Sequence, residues 1–370
     1  MSRAFYARAP GPPSAATSVR ATIAGGNASF RPSGILLVTS SPSHPRPDPG
    51  FLAADVGGTH ARLAWVRADA EGRPRLQAYA KYRCAAAPDL GSLLVEFSAR
   101  LPGAVEAAVI ASAGCPGPDG RLVSANLPWP LDPRRIGRQL GLDQVHLIND
   151  FQALAQAVAA LAPERMQPLC GPEAAAPGPL LVIGPGTGLG TALVLPGQSI
   201  LPTEAGQASL AVAGGLEQAV LEQLRGRYPH VSMEHALSGP GLLNLYTALA
   251  ALRGGEAPLQ RPEQVTAAAL DGSDALARQA LDLFCELLGS SVGDLVLAYR
   301  ATAVVLAGGF VPQLHRFLRG SGFARRLVAK GAMHPLLEQV PVWTVDHGQL
   351  GVLGAAQWYL RHAARRGLSA

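Results

Sequence analysis

The sequence predicts an α/β protein of two domains. Three observations carry that reading. Apolar, strand-like runs end in glycine-rich or acidic turns, helix-period stretches lie between them, and the same strand–turn–strand opening occurs in both halves. With 370 residues and 48% apolar content, the chain is long enough to build sizeable cores.

Residues 1 to about 50 are rich in Pro, Ser, Ala and Arg, and Asp48 is their only acid, so this stretch reads as a disordered extension. Its composition resembles a transit peptide, and a loose tail accounts for it equally well. From Phe51 the pattern changes. Phe51 to Ala54 leads into Asp55-Val56-Gly57-Gly58-Thr59 and Ala61 to Val66 leads out, which predicts a β-hairpin with an acid-headed turn. Ala107 to Ala111 predicts a strand before Ser112-Ala113-Gly114. Val145 to Ile148 predicts another before Asn149-Asp150, and Phe151 to Leu161 is helical in period. Asp150 then sits near a helix N-terminus, where negative charge is favoured.

The second half repeats the theme with a strand at Leu180 to Ile183, the loop Gly184 to Gly190, and a strand at Thr191 to Leu195. Helices are predicted at about Gly215 to Arg227, Pro240 to Leu252 and Asp274 to Tyr299, and a strand at Ala303 to Leu306 runs into Ala307-Gly308-Gly309. Such a chain looks like a duplicated α/β clamp.

Composition excludes several classes. The formal charge of +5 comes from scattered Arg, with Lys only at Lys81 and Lys330 and no aromatic interleaving, so nucleic-acid binding is not expected. Cys84, Cys115, Cys170 and Cys285 are far apart without metal-ligand spacing, which predicts a reduced, cytoplasmic protein without structural zinc. Ala174 to Thr203 is uncharged yet holds six Gly and five Pro, so it reads as buried strands around a phosphate loop rather than a membrane span.

The two glycine turns carry the chemistry. Asp55 heads the first and can serve Mg2+, while the backbone amides of Gly57, Gly58 and Thr59 can approach phosphate oxygens without side-chain obstruction. Gly186-Thr187-Gly188 offers small residues and a hydroxyl from the opposite side. It is followed by no Gly-Lys-Ser/Thr, so it is not a Walker loop, and it leads into a strand, unlike a dinucleotide fingerprint. Phosphoryl transfer to an alcohol needs alignment, charge neutralisation and a base. Asp150 fits the base, Asn149 can donate and accept for neighbouring hydroxyls, and Glu204 and Glu234 are further candidates for a sugar site.

In this order and combination, the motifs resemble the bacterial glucokinase family of the hexokinase/actin/Hsp70 ATPase superfamily, in its branch without a zinc motif. The resemblance runs from about Phe51 to Tyr359. It includes Leu147-Ile148-Asn149-Asp150-Phe151, Leu201-Pro202-Thr203-Glu204-Ala205-Gly206, Leu237-Ser238-Gly239-Pro240-Gly241 and Leu306-Ala307-Gly308-Gly309. It implies a two-domain actin-like ATPase (ribonuclease H-like) fold with an interdomain active-site cleft. The smaller domain would hold residues 51–155 and 352–370, and the larger residues 156–351. It further implies ATP-dependent phosphorylation of glucose at the 6-hydroxyl. Asp150 would be the base, with Asn126, Asn149, Asp150, Glu204, Gln207 and Glu234 holding the sugar. Ala54 to Thr59 and Gly186 to Gly188 would hold Mg-ATP, with Asp55 on the metal and Gly308-Gly309 at the adenosine. The family is often dimeric.

Three departures stand out. Gln207 occupies the place of a sugar-binding His, Ala54 replaces a Gly, and His60 replaces a common Asn. Gln keeps hydrogen-bonding capacity but no charge, so sugar preference is open. A kinase for another hexose and a catalytically weak sugar-sensing regulator remain alternatives. Intact Asp55, Asp150 and Thr187 and the lack of a helix-turn-helix segment argue against the regulator.

Overall fold

The computed structural model describes residues 36–37, 49–116, 122–123, 127 and 129–367. Two six-stranded sheets dominate it, with a two-stranded ribbon beside the first. The first is built from strand β1 (Leu36–Leu37), β2 (Gly50–Val56), β3 (His60–Ala68), β4 (Pro74–Arg83), helix α1 (Leu90–Ser98) and β5 (Val105–Ser112). The ribbon of β6 (Cys115–Pro116) and β7 (Leu122–Val123) follows, then α2 (Pro133–Leu140), β8 (Val145–Asn149) and α3 (Asp150–Val158). The order is β1-β4-β3-β2-β5-β8, an antiparallel meander with β5 and β8 parallel to β2. Leu36 and Leu37 pair with Tyr79 and Ala78, so this short piece of the expected disordered extension joins the sheet edge. The rest of residues 1–48 lies outside the described residues.

The second sheet comprises β9 (Gln167–Cys170), β10 (Leu180–Pro185), β11 (Leu189–Val194) and β12 (Ile200–Thr203). Helices α4 (Leu216–Arg225), α5 (Gly239–Leu252), α6 (Pro262–Asp271) and α7 (Ala275–Tyr299) come next, then β13 (Ala303–Leu306). Helices α8 (Val311–Gly320), α9 (Phe323–Val328) and α10 (His334–Leu337), strand β14 (Val342–Thr344) and helix α11 (Leu350–Gly367) complete the chain. The order is β12-β11-β10-β13-β14-β9. Apart from the edge strands β1 and β9, both sheets follow one plan: a three-stranded meander, then two strands parallel to its first member. The expected duplication is thus visible in topology. Residues 174–178, expected within buried strands, form an exposed approach to β10 instead.

Burial explains why these strands are apolar at nearly every position. On β2, Leu52, Ala54 and Val56 face a core with α1 and α2, while Phe51 and Ala53 face α11. A sheet covered on both faces needs apolar residues on both. On the second sheet, Leu181 and Ile183 pack under the helices from α4 to α9, and Val182 packs against α3. Helices α3 and α11 each leave one sheet and pack on the other, crossing so closely that a side chain at Gly354 would strike the carbonyl of Ala153.

Candidate active site

The two glycine turns, the β8–α3 junction and the β14–α11 junction surround one cavity of about 360 Å3. Asp150 is the first residue of α3. Asn149 caps the helix, its Oδ1 accepting the N–H groups of Phe151 at 2.9 Å and Gln152 at 3.0 Å. That leaves the Asn149 Nδ2 as its donor toward the cavity. Asp150 Oδ1 accepts from the Phe151 N–H at 2.8 Å. Poor hydration of the half-buried carboxylate, followed by the charge of Asp55 and with that hydrogen bond opposing them, leaves the Asp150 pKa at about 7 against a usual 3.8.

Phe151 fixes this junction. Its ring fills the space beside Gly184 and Gly190, where a side chain at either position would collide with it. Two glycines on the β10–β11 hairpin therefore admit the residue next to Asp150, and the start of α3 is locked onto the second sheet.

Glu204, Gln207 and Glu234 also line the cavity. Glu234 Oε2 accepts the Leu189 N–H at 2.8 Å and fills the space where a side chain at Gly188 would go. The backbone carbonyl of Gln207 is held by His230 Nε2 at 2.9 Å, which leaves the exposed amide side chain to the cavity. Asn126 lies outside the described residues.

On the phosphate side, Gly57, Gly58, Gly186, Thr187, Gly188, Gly308 and Gly309 line the cavity, whereas Ala54, Asp55, Val56 and Thr59 do not. Ala54 and Val56 are core residues of β2. Two amides expected to meet phosphate are turned inward: Gly57 N–H closes its hairpin on the His60 carbonyl at 3.0 Å, and Gly186 N–H binds the Gly188 carbonyl at 2.8 Å. The amides of Gly58, Thr59, Thr187 and Gly188 make no such turn bond among the described residues. A Cβ on Gly57 or Gly186 would touch nothing closer than 3.8 Å, and one on Gly309 would meet nothing within 4 Å. Packing does not explain glycine there, and free space for a phosphate or nucleoside does, so these residues fit a nucleotide.

Asp55 faces α11 behind the turn. Its Oδ2 accepts from Arg62 Nη1 at 3.1 Å, and a Cβ on Gly351 would lie 2.6 Å from its carboxylate carbon. Among the described residues no group of three or more His, Cys, Asp or Glu side chains is arranged to hold a metal ion. One carboxylate suits Mg2+ that keeps most of its waters and arrives on phosphates, the ordinary mode for phosphoryl transfer. No helix among the described residues is long and apolar enough to cross a membrane.

His347 also lines the cavity, and sequence reasoning missed it. It sits in the Asp346-His347-Gly348 turn between β14 and α11, as Asn149 and Asp150 sit between β8 and α3. The signal that could have found it was that parallel, hidden because β14 is only 3 residues long.

A family model described as glucokinase matches residues 52–362. A glucokinase-like protein of Xylella fastidiosa is 47% identical over 322 residues, covering 85% of this chain and 96% of that one. A glucokinase of Marinobacter nauticus is 38% identical over 310 residues, covering 83% and 96%. A solved glucokinase from an Antarctic psychrotroph aligns with a TM-score of 0.70 at 31% identity, covering 84% of this chain and 98% of that chain.

Proposed function

The chain belongs to the glucokinase family, and on that premise we propose that it transfers the terminal phosphoryl group of ATP to the 6-hydroxyl of glucose. The observation that carries this reading is a carboxylate with a pKa of about 7 facing two glycine hairpin turns across one cavity. A base with a pKa near the working pH combines adequate deprotonation with useful basicity.

Asp150 takes the hydroxyl proton as the oxygen attacks phosphorus. Asn149 Nδ2 donates to a neighbouring hydroxyl, and Glu204, Gln207 and Glu234 accept from others. Because Glu234 also holds the Leu189 N–H, sugar and phosphate loop share one carboxylate. The amides of Gly58, Thr187 and Gly188 and the Thr187 hydroxyl receive phosphate oxygens, and Gly309, beside Gly308 in the cavity wall, leaves room for the adenosine. Mg2+ bound to ATP would offset phosphate charge, with Asp55 as the nearby carboxylate. Closure of residues 51–155 and 352–370 onto 156–351 would exclude water from the reacting phosphate. We place the protein in the cytoplasm, as a homodimer.

The test is coupled detection of ADP release by the full chain with Mg-ATP and glucose, mannose, fructose, glucosamine or no sugar. Glucose-dependent release well above the other sugars supports the reading, and preference for a second sugar would assign the substrate to Gln207. No turnover with any sugar, together with glucose binding by calorimetry, would replace the kinase with a sugar sensor.

A further inference from the structure

The shared plan of the two sheets places two junctions at the same cavity. After the last parallel strand of each plan comes a polar junction and then a helix that crosses to the other sheet. In the first half strand meets helix directly at Asn149 and Asp150, and in the second a short turn between them supplies His347. Asp150 has a role in the reading above; His347 has none.

The cavity wall makes the side chain conspicuous. Asp150, Glu204 and Glu234 line it, and no Lys or Arg does so among the described residues. Among the described residues, His347 is the one basic side chain in that wall. Arg62 stands behind, engaged with Asp55. A site that receives a polyanion therefore offers backbone amides, a few neutral polar side chains and one imidazole.

Its turn is braced while its ring is left to the cavity. Asp346 Oδ1 accepts the Gly348 N–H at 3.1 Å, and the His347 carbonyl accepts the Leu350 N–H at 2.7 Å. Gly348 adopts φ +37°, a conformation that favours glycine. The imidazole's hydrogen-bond partner lies in its own turn, the backbone of Gly348, and no side chain of a described residue bonds it. Asp55 and Arg62, from the strands that flank the first glycine turn, act on it electrostatically, as does Asp346 of its own turn. This puts the ring on the side of the cavity where phosphate would lie. Burial, foremost, lowers its pKa and favours the neutral ring, which carries one N–H donor.

We propose that His347 is a catalytic residue that donates an imidazole hydrogen bond to the transferring phosphoryl group, opposite Asp150 across the acceptor hydroxyl. The proposal rests on the kinase reading for its reaction. There, the bond from hydroxyl oxygen to the terminal phosphorus forms as the bond from that phosphorus to the bridging oxygen breaks. The hydroxyl proton passes to Asp150, and ADP leaves with the electron pair. His347 steadies the phosphoryl oxygens and exchanges no proton.

The test compares the full chain with His347→Ala and His347→Gln. It measures affinity for a non-hydrolysable ATP analogue, for ADP and for glucose by calorimetry, together with kcat and thermal stability. Loss of the contact should weaken the analogue about tenfold, the size of a hydrogen bond to a charged group. ADP and glucose should change about twofold or less, the residual expected of a site left otherwise intact. His347→Gln, which keeps a donor, should recover most of the analogue affinity and of kcat. Unchanged analogue affinity and kcat in His347→Ala would overturn the proposal and leave the kinase reading standing. So would equal losses for analogue, ADP and glucose with a lowered Tm in both variants, which would make the residue structural. If the wild-type chain releases no ADP with any sugar but His347→Ala still selectively weakens the analogue, the contact stands and the kinase reading fails.

Discussion

At the scale of single residues, Asp150 as the proposed base would set the chemistry and the pH dependence together. Its folded-state pKa of about 7 lies above the usual 3.8, chiefly through burial. The folded chain therefore holds this proton more tightly than the unfolded chain. The resulting stability is complete below about pH 4 and is lost as pH rises through about 7. Asp150→Asn removes the charged form, so its Tm advantage over wild type should widen from about pH 5 to about pH 8, read by scanning calorimetry. The same variant should lose about 100-fold or more in kcat while retaining glucose binding; near-normal turnover would remove Asp150 as the base. In the wild-type enzyme, kcat/KM should climb about tenfold per pH unit below about pH 7 and level off above it. A flat profile across that range would assign the proton to another group. The acid's position was legible because a strand must hand over to a helix just where Asn149 and Asp150 stand. The inward turn of the Gly57 and Gly186 amides was not legible, because the hydrogen bond that closes each turn depends on turn conformation that composition does not specify.

At the scale of elements, the β10–β11 hairpin and the start of α3 act as one unit. Gly190→Ala should displace the Phe151 ring, destabilise the chain by about 1–3 kcal/mol as overpacking does, and lower kcat disproportionately because Asp150 is the next residue. Chemical denaturation and steady-state kinetics would separate the two effects; unaltered kcat with lowered stability would show that Phe151 does not position the base. The long helix α7 at Ala275–Tyr299, opened by the Asp274 cap, was readable from its period, and the four-residue β13 at Ala303–Leu306 from its unbroken apolar run. The other short strands were not. In β9, β12 and β14, runs of 3–4 residues, two of them interrupted by Pro168 or Pro202, carry no period. The neighbouring strands make them strands, through pairings such as Val304 with Val342. His347 was hidden with β14 for the same reason.

At the scale of the whole molecule, the actin-like ATPase fold expected from the sequence is the one observed, and its two sheets share a strand order. The clearest prediction at this scale concerns α11. Val352, Ala355, Ala356 and Tyr359 cover Phe51, Ala53 and Val109 of the first sheet, although α11 follows the last strand of the second. A chain ending at residue 349 should therefore lose protection of β2 and β5, far away in sequence, while β10 to β13 keep their helices. Hydrogen exchange read by mass spectrometry would resolve the two regions, and equal protection of both would contradict the assigned cover. Because α3 makes the reciprocal crossing, neither half closes its own core. Two separate half-length chains of this plan could each be covered only by trading final helices, in the manner of a domain-swapped pair. The present chain keeps that exchange within one covalent molecule, so the mutual dependence of its halves is independent of protein concentration.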